Sequence, residues 1–124
     1  MSEPTVSSTN GRLVFACSGA ADVGEIADRA ARMLQREGTA RMFCLGCIGA
    51  QMEESIARAR TAADILAIDG CPTDCAKKCL ERAGLTRVRH LRLTDHQMDK
   101  GRTPVSVHNV QAAAEKAKHV LLAP

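Results

Sequence analysis

The sequence contains no tryptophan and no tyrosine, and its only aromatic residues are Phe15 and Phe43. Stacking platforms for single-stranded nucleic acid are therefore missing. A core has to be assembled from Leu, Ile, Val, Met and many alanines, with close helix packing in place of large rings. No stretch approaches the roughly twenty apolar residues of a membrane span. The opening M-S-E-P-T-V-S-S-T-N lacks both the basic start and the apolar run of a secretory signal. No one sign of charge dominates either. Seventeen Lys and Arg against fourteen Asp and Glu leave a formal charge of +3, with the two signs interspersed. The denser run T-R-V-R-H-L-R alternates as a solvated strand edge does, so a nucleic-acid surface is not expected. These absences describe a cytoplasmic chain with neither a membrane nor a nucleic acid as partner. They leave its oligomeric state open.

What the 124 residues do contain is an alternation of short apolar runs and helical periods. Residues 1–10 are polar and carry Pro4, which predicts a loose tail before a single domain over 11–124. Arg12 to Cys17 is a short apolar run fit for a buried strand. Asp22 and Glu25 have capping-box spacing, and Val23, Ile26, Ala27, Ala30 and Leu34 recur at helical period up to Gly38. Ala40 to Cys44 is a second strand, followed by a helix from Gln51 to about Arg60. Ile65 to Asp69 is a third strand. Pro72 suits the first helical position, which makes Cys71 the expected N-cap of a helix ending at Gly84. Val88 to Leu93 is a fourth strand, and a last helix runs from about Ser106 to His119. Such alternation implies an α/β fold: three α-β-α layers around a four-stranded, mainly parallel sheet of Rossmann-like or flavodoxin-like order. We expect the order 2-1-3-4, which sets the ends of the first three strands side by side.

All six cysteines fall at or just after those ends. In a cytoplasmic chain they are metal ligands or reactive thiols before they are disulfides. Cys17 closes the first strand and enters a glycine-containing turn, where it is either a projecting ligand or the last core residue. Cys44 stands at the end of the second strand and is the better ligand candidate of its C-x-x-C pair. Cys47 is a fourth ligand, a spare thiol or merely exposed. Cys71 and Cys75 lie one helical turn apart and can aim at one point. Cys79 falls with Ala76, Leu80 and Ala83 on an apolar stripe and reads as a core residue first, with ligation the alternative. Asp69 and Asp74 suit hydrogen bonding around a site better than ligation. Among the histidines only His96 is a ligand candidate, with Asp95 to orient it, against the alternative of a loop histidine. His90, His108 and His119 read as structural or surface residues. A second C-x-x-C is absent, and so are the arginine of a phosphatase loop, the G-K-[ST] of a Walker loop and G-x-G-x-x-G.

The segments V-F-A-C-S-G-A-A-D-V-G-E, M-F-C-L-G-C-I-G, I-D-G-C-P-T-D-C-A and K-K-C-L-E-R-A-G resemble the DGC domain family of small zinc-binding proteins. The likeness extends from Leu13 to about Lys100. It implies four chelating cysteines, which fall by motif on Cys17, Cys44, Cys71 and Cys75, with Cys47 and Cys79 as additions. The expected cofactor is Zn²⁺, although four thiolates would equally take Cu(I), Cd²⁺, arsenic(III) or an iron–sulfur cluster. A closed four-sulfur shell leaves no position open for catalysis. Metal handling or sensing is thus favoured over an enzyme. The alternative is a thiol-dependent oxidoreductase or transferase with Cys71 as nucleophile and Cys75 as resolving thiol.

Overall fold

The computed structural model describes residues 10–124; the tail expected over residues 1–10 therefore falls almost wholly outside the described residues. The chain forms β1 (Arg12–Ala16), α1 (Asp22–Arg36), β2 (Arg41–Met42), α2 (Leu45–Gly49), α3 (Glu53–Arg60), β3 (Asp64–Asp69), α4 (Cys75–Arg82), β4 (Val88–Arg92) and α5 (Val107–Leu122). All three strand pairings are parallel, and the order is β2-β1-β3-β4, as expected from the sequence.

Strand alternation divides the core into two layers. Val14 and Ala16 of β1, with Leu66 and Ile68 of β3, face α1 and α5. Leu13, Phe15, Ile65 and Ala67 face the other way, against Ile48 of α2, Ala59 of α3 and Leu80 of α4. Without bulky rings, α1 and α5 approach through alanines. Ala27, Ala30 and Ala31 are fully buried on one helix, and Ala113 and Ala117 on the other. Phe15 meets Phe43 edge-to-face, with ring centroids 5.9 Å apart. Gly38 and Gly84 lie just past the ends of α1 and α4 with φ of +76° and +85°, the left-handed turn that stops a helix.

Three local expectations change. The second strand is only two residues long, because Cys44 already serves as the cap of α2, a five-residue helix that the pattern did not announce. Asp22 is the first residue of α1, and its carboxylate accepts the backbone N–H groups of Gly101 and Thr103 at 2.9 and 3.0 Å. It ties the loop before α5 to α1, with Ala21 in the cap position. Finally, α4 begins at Cys75. The Asp74 N–H donates to the Cys71 carbonyl at 3.2 Å, closing a turn with Pro72 at its second position, where a φ near −65° is wanted. Cys71 is therefore a turn residue and caps no helix.

Candidate metal centre

The parallel order brings the carboxyl ends of β1, β2 and β3 to one edge, and the crevice between β1 and β3 is where the chain changes direction across the sheet. Cys17 stands in that crevice. Its N–H donates to the Ile68 carbonyl at 3.0 Å, and its Sγ accepts the N–H of Gly70 at 3.4 Å. Burial pushes the Cys17 thiol pKa up, partly offset by the backbone N–H groups of Gly19 and Gly70; the charges of Asp69 and Cys75 push the same way as burial. Gly70 has no room for a side chain. A Cβ there would stand 2.7 Å from the backbone carbon of Val23 in the first turn of α1.

Cys71 follows in the turn, half-buried, its thiol donating to Thr73 Oγ1 at 3.4 Å. Hydrogen bonds from the Thr73 side chain and backbone stabilise the thiolate and lower the pKa, with the Lys100 charge adding to the effect. Cys75 opens α4 and is exposed. Cys44 is also exposed. A hydrogen bond from the Cys47 thiol, then the backbone N–H groups of Cys47 and Gly46, hold its pKa low. The same bond pushes Cys47 up, opposed by the Ser55 hydroxyl.

Cys79 departs from its expected place in the core. It is half-buried, stands opposite Gly49, and lines an open cavity of about 670 Å³ together with Cys17 and Cys44. Asp28 and Arg32 of α1 complete the polar side of that cavity, joined at 2.7 Å. Burial works to raise the Asp28 pKa, but the bonds from Arg32 and Ser18 outweigh it and hold the carboxyl below its ordinary value.

No three thiols among the described residues have sulfurs within 4.8 Å of one another; the three side chains that meet that distance are Asp69, Asp74 and His90. Their contacts account for them. The buried Asp69 carboxylate accepts the N–H groups of Ala76 and Lys77 at 2.8 and 3.1 Å and lies 2.9 Å from His90 Nε2. Asp74 is gripped in a two-pronged bond by Arg92, which keeps its carboxyl below the usual range. The guanidinium thus supplies the positive charge that a cation would otherwise bring. This network fixes the start of α4 and with it the backbone of Cys75.

His90 takes the structural place expected of it, whereas Arg92 was not singled out from the sequence. The signal for Arg92 was its two-residue spacing from His90, which puts both on the face of β4 turned toward α4, with Arg92 in register with Asp69. His96, in the 3-10 turn Leu93–His96, is exposed, and Asp95 lies 3.5 Å from Arg92.

The sequence profile of the DGC domain matches residues 13–117. The chain belongs to the DGC domain family. It is also 40% identical over 88 residues to the anaerobic and virulence modulator AnvM of Pseudomonas aeruginosa, a match covering 71% of this chain and 67% of that protein. No solved structure matches it significantly. The three letters that name the DGC family have separate tasks here. Asp69 ends a strand and holds a helix, Gly70 lets that turn press against α1, and Cys71 presents a thiol at the edge.

Proposed function

We propose that this DGC domain binds a soft metal ion, zinc first, through the thiolates of Cys17, Cys44, Cys71 and Cys75, and that it handles or senses that metal. The observation that carries this reading is the strand order. Segments distant in sequence deliver four thiols to one edge, and Cys17 already touches the turn that bears Cys71. The donors fit in kind, since thiolates select zinc and other soft ions. Zinc–sulfur bonds of about 2.3 Å require the sulfurs to draw closer than they stand. Cys44 and Cys75 are exposed and Cys71 lies in a turn outside the helices and strands.

Two apolar clusters, one on each face of the sheet, give the domain a core of its own, which favours handling or sensing over a purely structural ion. A relative named as an anaerobic and virulence modulator favours a regulatory role over a catalytic one. Six thiols suit the reducing cytoplasm. No helix among the described residues is long and apolar enough to cross a membrane.

Metal analysis of protein purified without an affinity tag or added metal tests this. About one zinc per chain is expected, held in a four-sulfur shell, and lost in Cys71→Ser. Full zinc content in that variant would overturn the assignment. A visible absorbance band would move it to an iron–sulfur cluster.

A further inference from the structure

Cys44 and Cys47 form a pair in their own right. Cys44 caps α2 and Cys47 is the third residue inside it, so the two side chains rise from a single turn and face each other. Neighbours across one such turn fall within the roughly 4.4–6.8 Å Cα separation that a disulfide accepts. Their exposure is unequal. Cys44 is open to solvent and Cys47 is half-buried, the arrangement of an attacking thiol with a shielded partner behind it.

The exposed member also has somewhere to receive a reactant. It lines the cavity of about 670 Å³, a volume within the range of small-molecule sites. Arg32 and Asp28, paired on that wall, offer polar groups, and Phe43 and Met42 offer apolar surface. The pair Cys71 and Cys75 has no comparable setting: the Cys71 thiol is bonded to Thr73, and neither residue lines this cavity.

We propose that Cys44 and Cys47 are a thiol–disulfide exchange site for small disulfides that enter this cavity. The Cys44 thiolate attacks one sulfur of R–S–S–R′. A new S–S bond forms to R–S, the old one breaks, and R′–S⁻ leaves with its electron pair and takes up the proton released by Cys44. The Cys47 thiolate then attacks Cys44 Sγ and expels R–S⁻, which is protonated in turn. The substrate disulfide gains two electrons and becomes two thiols, and the protein is left with a Cys44–Cys47 disulfide. A dithiol reductant returns it to the starting state. No metal takes part, and an ion bound to Cys44 would compete with the exchange.

The full chain, treated with a chelator and then with glutathione disulfide, tests the proposal. The wild type should lose two of its six titratable thiols, with peptide mapping placing the new disulfide between Cys44 and Cys47 and no lasting adduct. Cys47→Ser should trap one glutathione on Cys44. Cys44→Ser should react at least about tenfold more slowly, its exposed nucleophile gone. A wild-type disulfide between other cysteines, an adduct in Cys47→Ser at any other position, or no thiol loss at all would overturn it. The wild-type map decides even if a variant fails to fold.

Discussion

The Asp69 carboxylate accepts the backbone N–H of Ala76 at 2.8 Å, so the last residue of β3 caps a helix that starts beyond an intervening turn. The bond is buried, and the same side chain also holds the Lys77 N–H and His90. Replacing it with Ala strands three partners at once. We expect Asp69→Ala to cost about 2–4 kcal/mol by urea denaturation, a large share of the stability of a small domain. Asp69→Asn keeps one acceptor and should lose less. Equal losses in both variants would show that the capping bonds are not the cause.

Gly70 and Gly19 make a matched pair at the same edge. An added methyl at Gly70 meets the backbone of α1 at 2.7 Å, whereas at Gly19 nothing lies within 4 Å. Gly70→Ala should therefore destabilise by about 1–3 kcal/mol through forced backbone movement. Gly19→Ala should stay within about 0.5 kcal/mol of wild type. The contrast is read from the two denaturation midpoints, and a neutral Gly70→Ala would contradict the close approach of α1 to this turn.

Acid stability should depend on Asp22. The N–H groups of Gly101 and Thr103 lower its pKa in the folded chain. A lowered folded pKa contributes stability that is present above the unfolded value of about 3.9 and is lost as pH falls through the folded one. Asp22→Asn should accordingly be less stable than wild type at neutral pH, and the gap should close below about pH 4. A constant gap from pH 7 to pH 2 would mean that the charge of Asp22 plays no part.

If the edge thiols bind zinc, the ion stabilises the fold by mass action. At a free concentration of 100 times Kd the gain is about 2.7 kcal/mol. Thermal unfolding with and without zinc should show this rise in the wild type and its loss in Cys44→Ser and Cys75→Ser.

The core prediction is simpler. Phe15 is fully buried and carries the ring contact to Phe43. Phe15→Ala should cost about 3–5 kcal/mol, with most of the loss recovered by Phe15→Leu, as chemical denaturation can show.

The parts legible in the sequence were those written in local periodicity. The apolar runs at Leu13–Ala16 and Ile65–Ile68 and the three-four spacing of Val23, Ile26, Ala30 and Leu34 all lie where their pattern puts them. What escaped was set by contacts across space. Asp22 has the spacing of a capping box, but its partners are Gly101 and Thr103, on a loop far along the chain. Pro72 suits a helix start, but Asp69 supplies the cap farther on, so the helix waits until Cys75. The short helix Leu45–Gly49 has two glycines in five residues and no full period to read. Cys79 lies on an apolar stripe, yet its wall of the cavity exists only because α2 stands opposite it. The edge that gathers the cysteines was legible. How the thiols are arranged along it was not, because that depends on turn geometry that spacing does not encode.

The two outer strands of the sheet bear on how the chain behaves at high concentration. One, β2, is two residues long, too short to template another strand; the other, β4, carries Arg89, His90 and Arg92. Brevity guards one rim and charge the other, which are common natural defences against strand-to-strand polymerisation. Copies of this protein that associate should therefore meet through helices or through the thiol-bearing rim, and any amyloid-like growth would first require the sheet to come apart.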